Sequence, residues 1–306
     1  MKNVAPLVVF VYKRLEYTKN MLRSVNENRM AGETDLFIFA DGPKTKAEEE
    51  KVNEVRKYIK YFVANCNFRN VSVIESESNK GLAASVISGV TEVIQKYGKV
   101  IVVEDDLQVS NYFLDFMNDC LNFYADNPKI WSIGGTSLAL KALKGYKHDV
   151  YACYRATSTG WATWYDRWNK IDWDIIDYEE FMKDRKRKRR FKKAGNDVIV
   201  ALKNQREGKT DSWAIRWCYN QSKEKMYTIL PVANMVKISG WGEDATHCDV
   251  DRFHTQISDK AYDYYLEDVT INEKIMKDFR KYYSRPLINR IVDFFYLKYK
   301  AITKRK

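Results

Sequence analysis

The sequence predicts an α/β protein built on a doubly wound, mostly parallel sheet with helices flanking both faces. Three observations predict it. Short, wholly apolar runs recur through the first third of the chain, segments of helical spacing separate them, and each run stops on charged or turn-forming residues.

Leu7-Val8-Val9-Phe10-Val11-Tyr12 is apolar at every position and rich in β-branched and aromatic side chains, as a strand covered on both faces must be. Leu15, Thr18, Met21, Leu22 and Val25 follow at helical spacing. Leu36-Phe37-Ile38-Phe39-Ala40 is a second strand, ending on the turn Asp41-Gly42-Pro43. A polar helix carrying Val52, Val55, Ile59 and Phe62 leads to a third strand, Val71-Ser72-Val73-Ile74, and to a loop at Asn79-Lys80-Gly81. An apolar helix with Val86, Ile87, Val90, Val93 and Ile94 then precedes Lys99-Val100-Ile101-Val102-Val103, a fourth strand that stops on Glu104-Asp105-Asp106. In such sheets ligands bind beyond the carboxyl ends of the strands. Tyr12-Lys13-Arg14, Asp41 and Glu104-Asp105-Asp106 all lie there, so the pattern gathers distant residues at one crevice.

Beyond about Asn127 the pattern is mixed. Ile130-Trp131-Ser132-Ile133 is strand-like, a Trp-rich stretch runs from Trp161 to Trp173, and a helix carries Trp213, Ile215, Trp217 and Cys218. Val232 to Ile238 reads as a further strand. No internal repeat and no Pro- or Gly-rich linker separates this half from the first, so it continues the same domain.

With 306 residues and 45% apolar content the chain can bury one substantial core. Its formal charge of +11 is concentrated in the Lys183 to Lys193 run and at the extreme C-terminus. Such a charge suits an anionic partner, whether nucleic acid, membrane or phosphorylated substrate. Cys66, Cys120, Cys153, Cys218 and Cys248 are odd in number and widely spaced, which points to free thiols in a reducing compartment. The N-terminus has no signal-peptide pattern, and the expected location is cytoplasmic.

Three consecutive acids at the end of an apolar strand repel one another unless a cation or hydrogen bonds compensate. A divalent ion is one compensation, because Mg²⁺ and Mn²⁺ take one or two carboxylates and fill their other positions with phosphate oxygens and water. A solvated acidic turn is the other reading. A nucleic-acid-binding protein would account for the basic charge and the aromatics, but acids in the crevice would repel phosphate.

Val102-Val103-Glu104-Asp105-Asp106-Leu107-Gln108-Val109-Ser110, with Phe113 and Phe116 after it, resembles the acidic motif of the N-acetylglucosaminyltransferase I group. More broadly, Val8 to about His247 is similar to family two glycosyltransferases of bacterial surface-polysaccharide pathways, which have the GT-A (Rossmann-like) fold. The resemblance implies an inverting hexosyl or N-acetylhexosaminyl transfer from a nucleotide-diphosphate sugar, UDP-linked, to a glycan or lipid-linked acceptor, with Mn²⁺ or Mg²⁺ as cofactor and no nucleic acid as partner. It implies that Asp106 ligates the metal while Glu104 and Asp105 face the donor. Lys13 and Arg14 match the nucleotide-contacting position, Asp41 the acid that meets base or ribose, and Lys80-Gly81 the loop under the nucleotide.

Thr210-Asp211-Ser212-Trp213 resembles the family's Asp-Asp-Trp segment, with Ser212 replacing the second Asp and Asp211 in register with the catalytic base. An N-cap is the alternative for Asp211. Gly240-Trp241-Gly242-Glu243-Asp244-Ala245-Thr246-His247-Cys248 resembles the loop that carries a histidine to the metal or diphosphate, although a lone histidine is also a common structural residue. Thr159-Gly160-Trp161-Ala162-Thr163-Trp164 resembles the glycine-tryptophan loop beneath the sugar, with Gly160, Trp161 and Trp213 on the sugar and acceptor side; a packed turn is the alternative.

These expectations divide the chain into a transferase domain over residues 1–283 and a basic amphipathic helix over 284–306. Residues 1–126 form the nucleotide-sugar-binding half and 127–283 the acceptor-side half. In the helix, Ile288, Ile291, Val292, Phe295, Tyr299 and Ile302 form one stripe among basic residues, too short and too charged to span a bilayer. It suits peripheral binding to an anionic inner membrane face, or packing on protein. A sugar nucleotidyltransferase is the rival enzyme, but it would carry a Gly-rich phosphate loop where Tyr12-Lys13-Arg14-Leu15 has no glycine. A non-catalytic carbohydrate-binding domain is a further alternative.

Overall fold

The computed structural model describes residues 4–239, 255–258 and 264–283. The expected four strands are β1 (Leu7–Val11), β2 (Asp35–Ala40), β3 (Asn70–Glu75) and β4 (Lys99–Glu104), joined by α1 (Leu15–Asn26), α2 (Glu49–Asn65) and α3 (Leu82–Tyr97). They continue into β5 (Leu107–Val109), α4 (Phe113–Phe123), β6 (Ile130–Gly134), β7 (Val150–Cys153) and β8 (Trp161–Trp164). Four short helices follow, α5 (Tyr165–Trp168), α6 (Tyr178–Lys183), α7 (Arg185–Phe191) and α8 (Val198–Arg206). The remaining elements are α9 (Trp213–Glu224), β9 (Tyr227–Pro231), β10 (Val236–Ile238) and α10 (Glu273–Tyr282).

One sheet of order β3-β2-β1-β4-β8-β6-β9-β7 forms the centre, and β5 pairs with β10 in a separate ribbon. The pairings β1 with β2, β1 with β4, β2 with β3 and β6 with β9 are parallel, and only β7 and β8 run against the common direction. The sheet is therefore mostly parallel, with helices on both faces. Side-chain alternation assigns each strand to two cores: Leu7, Val9, Ile101 and Val103 face α1, α2 and α4, whereas Val8, Phe10, Val100 and Val102 face α3 and α9. This is why β1 and β4 are apolar at successive positions.

Two segments differ from the expectation. The start of the Trp-rich stretch is β8, inserted antiparallel between β4 and β6 with all four residues buried. Its Trp161 belongs to one core and its Trp164 to the other, so the bulky residues fill both faces. The expected strand from Val232 to Ile238 is broken instead: β9 ends at Pro231 and β10 begins at Val236. Asn234 makes the break, accepting from the Ser137 amide at 2.8 Å and donating to the Val236 and Gln256 carbonyls at 2.7 Å. A side chain that serves the backbone in this way competes with the ladder.

Helix α9 crosses one sheet face from the carboxyl edge to the amino edge. At its start Ser212 is the N-cap, accepting from the Ile215 amide at 3.3 Å. Trp213 and Trp217 lie 5.2 and 4.4 Å from Trp161, which pairs with Val102 of β4. At the far end the chain turns through Lys225 and enters β9, where Tyr227 stands opposite Ile130. No helix among the described residues is long and apolar enough to cross a membrane. The basic tail from 284 to 306 lies outside the described residues.

Trp217 is fully buried among Trp161, Trp168 and Trp213. Trp217→Ala should cost about 3–5 kcal/mol of stability, read from urea unfolding. A loss under about 1 kcal/mol would show that the aromatic cluster does not carry this face.

Candidate functional site

The parallel register sets the site. Phe10 stands beside Glu104, Val11 beside Ala40, and Ala40 beside Glu75, so the chain leaves all four parallel strands at one edge. Arg14 follows β1 and the three acids close β4, which brings them into contact across 91 residues of sequence. The Arg14 guanidinium grips Asp105 with both arms, Nη2 on Oδ1 and Nε on Oδ2, and lies 3.4 Å from Asp106 Oδ2. The edge of this guanidinium thus replaces part of the solvation that the acids lose.

The three carboxyls are not equivalent. Burial, then the charges of Asp106 and Asp105, hold Glu104 well above the usual carboxylate range. Burial also pushes Asp105 up to about 6, with Arg14 opposing. Burial works against the charge of Arg14, but Asp105 and then Asp106 more than offset it and raise its pKa. A protonated Glu104 can donate a hydrogen bond, which an ionised carboxylate cannot.

Lys13 turns away from the acids and pairs with Glu48 at the start of α2. Tyr12 Oη donates to Glu48 Oε2 at 2.6 Å and accepts from the Lys44 amide at 3.0 Å. The Lys13 hydrogen bond, then that of Tyr12, lowers Glu48 to about 2, while burial and the Glu48 bond push Tyr12 up to about 12.

Asp41 is spent on backbone. Its Oδ1 accepts from the amides of Gly42 and Lys80 at 2.9 Å each, and its Oδ2 from Asn79 Nδ2 at 3.0 Å and the Gly81 amide at 3.1 Å. A carboxylate has about four acceptor positions, so the Asp41 carboxylate is filled by the loop it holds. Gly42 is required there, because a Cβ would lie 2.6–2.7 Å from the Ser78 backbone. Gly81 has φ +79 and opens α3, and Lys80 remains exposed beside it.

Beyond Asp106 the chain enters β5, and the Asp106 carbonyl accepts from the Ser239 amide at 2.8 Å. The 159–161 turn packs against this ribbon: Gly160 has φ +63, and a Cβ on it would meet Val236 and Phe113 at 3.0–3.1 Å. The Trp161 and Trp213 rings, expected as faces for sugar or acceptor, are 0% and 3% exposed and pack on each other at a tilt of 35° inside the core. What this turn offers a ligand is backbone. Asp211 is 67% exposed and accepts from Arg216 Nη2 at 3.0 Å, and because Ser212 is the cap, its carboxylate is free of that duty. Trp213 on Trp161 ties this segment to the same edge of the sheet. His247 and Cys248 lie outside the described residues, which resume at Thr255, whose hydroxyl accepts from the Ile238 amide at 2.9 Å.

Sequence reasoning missed Glu48, which holds Lys13, and placed Asn79 in the loop after β3 without its bond to Asp41. Glu48 belongs to no apolar pattern and no motif, so no signal in the chain marks it.

Among the described residues no three His, Cys, Asp or Glu side chains are grouped so as to hold a metal ion by themselves. Mg²⁺ and Mn²⁺ do not need such a cage when phosphates and water complete the shell. Asp106 fits that chemistry: its side chain is 27% exposed and its nearest approach to Arg14 is 3.4 Å, through Oδ2. Asp105, clamped on both oxygens, does not.

The chain matches no protein-family model and no curated protein. Among solved structures, S. aureus TarS is similar at 13% identity over 44% of this chain and 22% of that one, with a TM-score of 0.33. S. aureus TarS 1-349 in complex with UDP-GlcNAc is similar at 12% identity over 52% of this chain and 44% of that one, with a TM-score of 0.37. The mannosyltransferase PcManGT from Pyrobaculum calidifontis, in complex with GDP-Man and Mn²⁺, is similar at 12% identity over 54% and 48%, with a TM-score of 0.35. The chain thus spans less than half the length of each.

The Glu48 shift has a definite sign. A carboxylate lowered on folding adds stability above its unfolded pKa and loses it as the pH falls through the folded value. The melting temperature of the parent protein should therefore fall more steeply than that of Glu48→Gln between pH 4.5 and about 2. Parallel curves over that window would mean that the Lys13–Glu48 contact does not form in solution.

Proposed function

We propose that the protein is a metal-dependent, inverting glycosyltransferase, which moves a hexosyl or N-acetylhexosaminyl group from a nucleotide-diphosphate sugar to a hydroxyl of a glycan or lipid-linked acceptor. The observation that carries the reading is the division of labour at the end of β4: Arg14 holds Asp105 by both oxygens, while Asp106 stands 3.4 Å from it and keeps a side chain 27% exposed. A role in bacterial surface-polysaccharide synthesis and a UDP-linked donor belong to the same proposal.

Asp106 would hold the divalent ion, with His247 as a second ligand. When bound, Mn²⁺ or Mg²⁺ would neutralise charge on the departing nucleotide diphosphate. Glu104 and Asp105 face the donor, and Arg14 fixes Asp105 in place. Asp41, through the amides of Lys80 and Gly81, shapes the loop under the nucleotide, and Lys80 supplies charge for the phosphates. The Gly160 turn closes the sugar side with its backbone. Asp211 takes the proton from the attacking acceptor hydroxyl; its exposure supports this role, and in the absence of acceptor it pairs with Arg216. The electron pair freed on the acceptor oxygen forms the new glycosidic bond as the bond to diphosphate breaks.

Two variants separate binding from transfer. Asp106→Ala should abolish Mn²⁺-dependent binding of nucleotide sugars in calorimetry. Asp211→Asn should bind donor as the parent does, yet transfer at a rate lower by about 10²-fold or more, the scale of general-base loss. Equal transfer by Asp211→Asn and the parent would remove Asp211 from the mechanism, and metal-dependent donor binding by Asp106→Ala would refute the metal site.

A further inference from the structure

At the opposite edge of the sheet, where Tyr227 begins β9, lies a cavity of about 160 Å³ lined by Tyr154, Arg190, Lys193, Ser222, Lys225 and Tyr227 with Met226. Three of these side chains are cationic. Arg190 and Lys225 have no ion-pair partner among the described residues. Lys193 Nζ donates to Tyr154 Oη at 3.0 Å and sits 4.6 Å over the Tyr154 ring, which meets Tyr227 edge-on at 5.6 Å. Among the described residues one carboxylate reaches this group: Glu273 is 3.6 Å from Lys193 and accepts from Tyr154 Oη at 3.3 Å, with its side chain 60% exposed. The cations therefore outnumber it. Arg185, Lys186, Arg189 and Lys192, on and just after α7, are exposed and carry charge of the same sign.

We propose that this cavity is a phosphate-binding site, distinct from the acidic edge and independent of the function proposed for it. A compact, multiply charged anion matches what lines the wall. The Arg190 fork can meet two oxygens, Lys193 and Lys225 act as point charges, and the Ser222 and Tyr227 hydroxyls can donate. Two aromatic walls exclude water on one side and strengthen each contact. A cleft lined by one sign of charge also concentrates counter-charged ligands. The same chemistry would serve a soluble phosphate ester or the headgroup phosphate of a lipid.

The test compares three forms of the full chain at 0.15 M salt, where charges more than about 8 Å from the ligand are screened. Arg190→Gln/Lys225→Gln removes the two unpaired cations of the cavity. Arg185→Gln/Arg189→Gln removes the same charge from the outer face of α7. Arg190→Lys/Lys225→Arg keeps the cavity charge and guards against loss of fold, which thermal melting also checks. Calorimetry with inorganic phosphate should show saturable binding that weakens about tenfold or more in the cavity variant and less than about threefold in the other two. Flotation with phosphatidylglycerol vesicles, against phosphatidylcholine alone, identifies the source. Cavity-dependent binding to vesicles without binding to free phosphate assigns a lipid headgroup, and cavity-dependent binding of free phosphate assigns a soluble ester. Absence of both, or equal losses in the cavity and outer-face variants, would overturn the site.

Discussion

Three carboxyls at the end of a strand buried on both faces are an electrostatic problem before they are a site. Two unit charges about 4 Å apart at a protein surface repel by about 4 kcal/mol, and burial adds the cost of lost water. Arg14 is the solution the fold provides. It can reach Asp105 only because β1 lies directly beside β4, with Phe10 level with Glu104. The strand order therefore does more than build a core, since it places a fixed cation where the acids would otherwise protonate or disperse. Even so, one guanidinium does not neutralise three acids, and Glu104 stays above the ordinary carboxylate range. The edge is left needing a further positive charge.

The first half of this arrangement was legible in the sequence because strands buried on both sides are written in every residue, and because a strand end marks where a parallel sheet binds ligands. Positions of Arg14, Asp41 and Glu104-Asp105-Asp106 followed from that alone. Partners did not. Glu48 lies 35 residues from Lys13, and nothing in the polar start of α2 distinguishes it from its neighbours. Trp161 and Trp213 show a different limit. Resemblance placed them beside the edge, but whether a tryptophan faces a ligand or a core depends on which strand carries it. Trp161 begins a central strand, and a central strand has no free face.

Helix α9 links the two ends of the molecule. Its 12 residues span about 18 Å, close to the length of the strands it crosses. Trp213 and Trp217 fasten its first half to Trp161, which fixes where Asp211 emerges at one edge and where Lys225 and Tyr227 emerge at the other. The aromatic cluster thus acts as the reference that positions exposed polar groups, and its large, rigid rings suit that task better than flexible aliphatic side chains. An acidic edge and a basic cavity held at opposite ends of one helix keep unlike chemistries apart, beyond the reach of screened charge.

The allocation of carboxylates at the acidic edge constrains what can bind there. Asp41 is filled by loop amides, Glu48 by Lys13 and Tyr12, and Asp105 by Arg14. Lys13 and Arg14 are by the same contacts committed to protein partners, which leaves Lys80 as an exposed cation beside the crevice. A bare diphosphate arriving at this edge would meet more acid than base and would be repelled. Accompanied by a divalent ion, the same diphosphate would present little net charge, and under the proposed function the partly exposed Asp106 would hold that ion. Under the proposed function, selection for the metal-bound form of a nucleotide sugar would then follow from the charge balance of the edge itself, with Arg14 setting that balance by holding Asp105 with two bonds and Asp106 only at 3.4 Å.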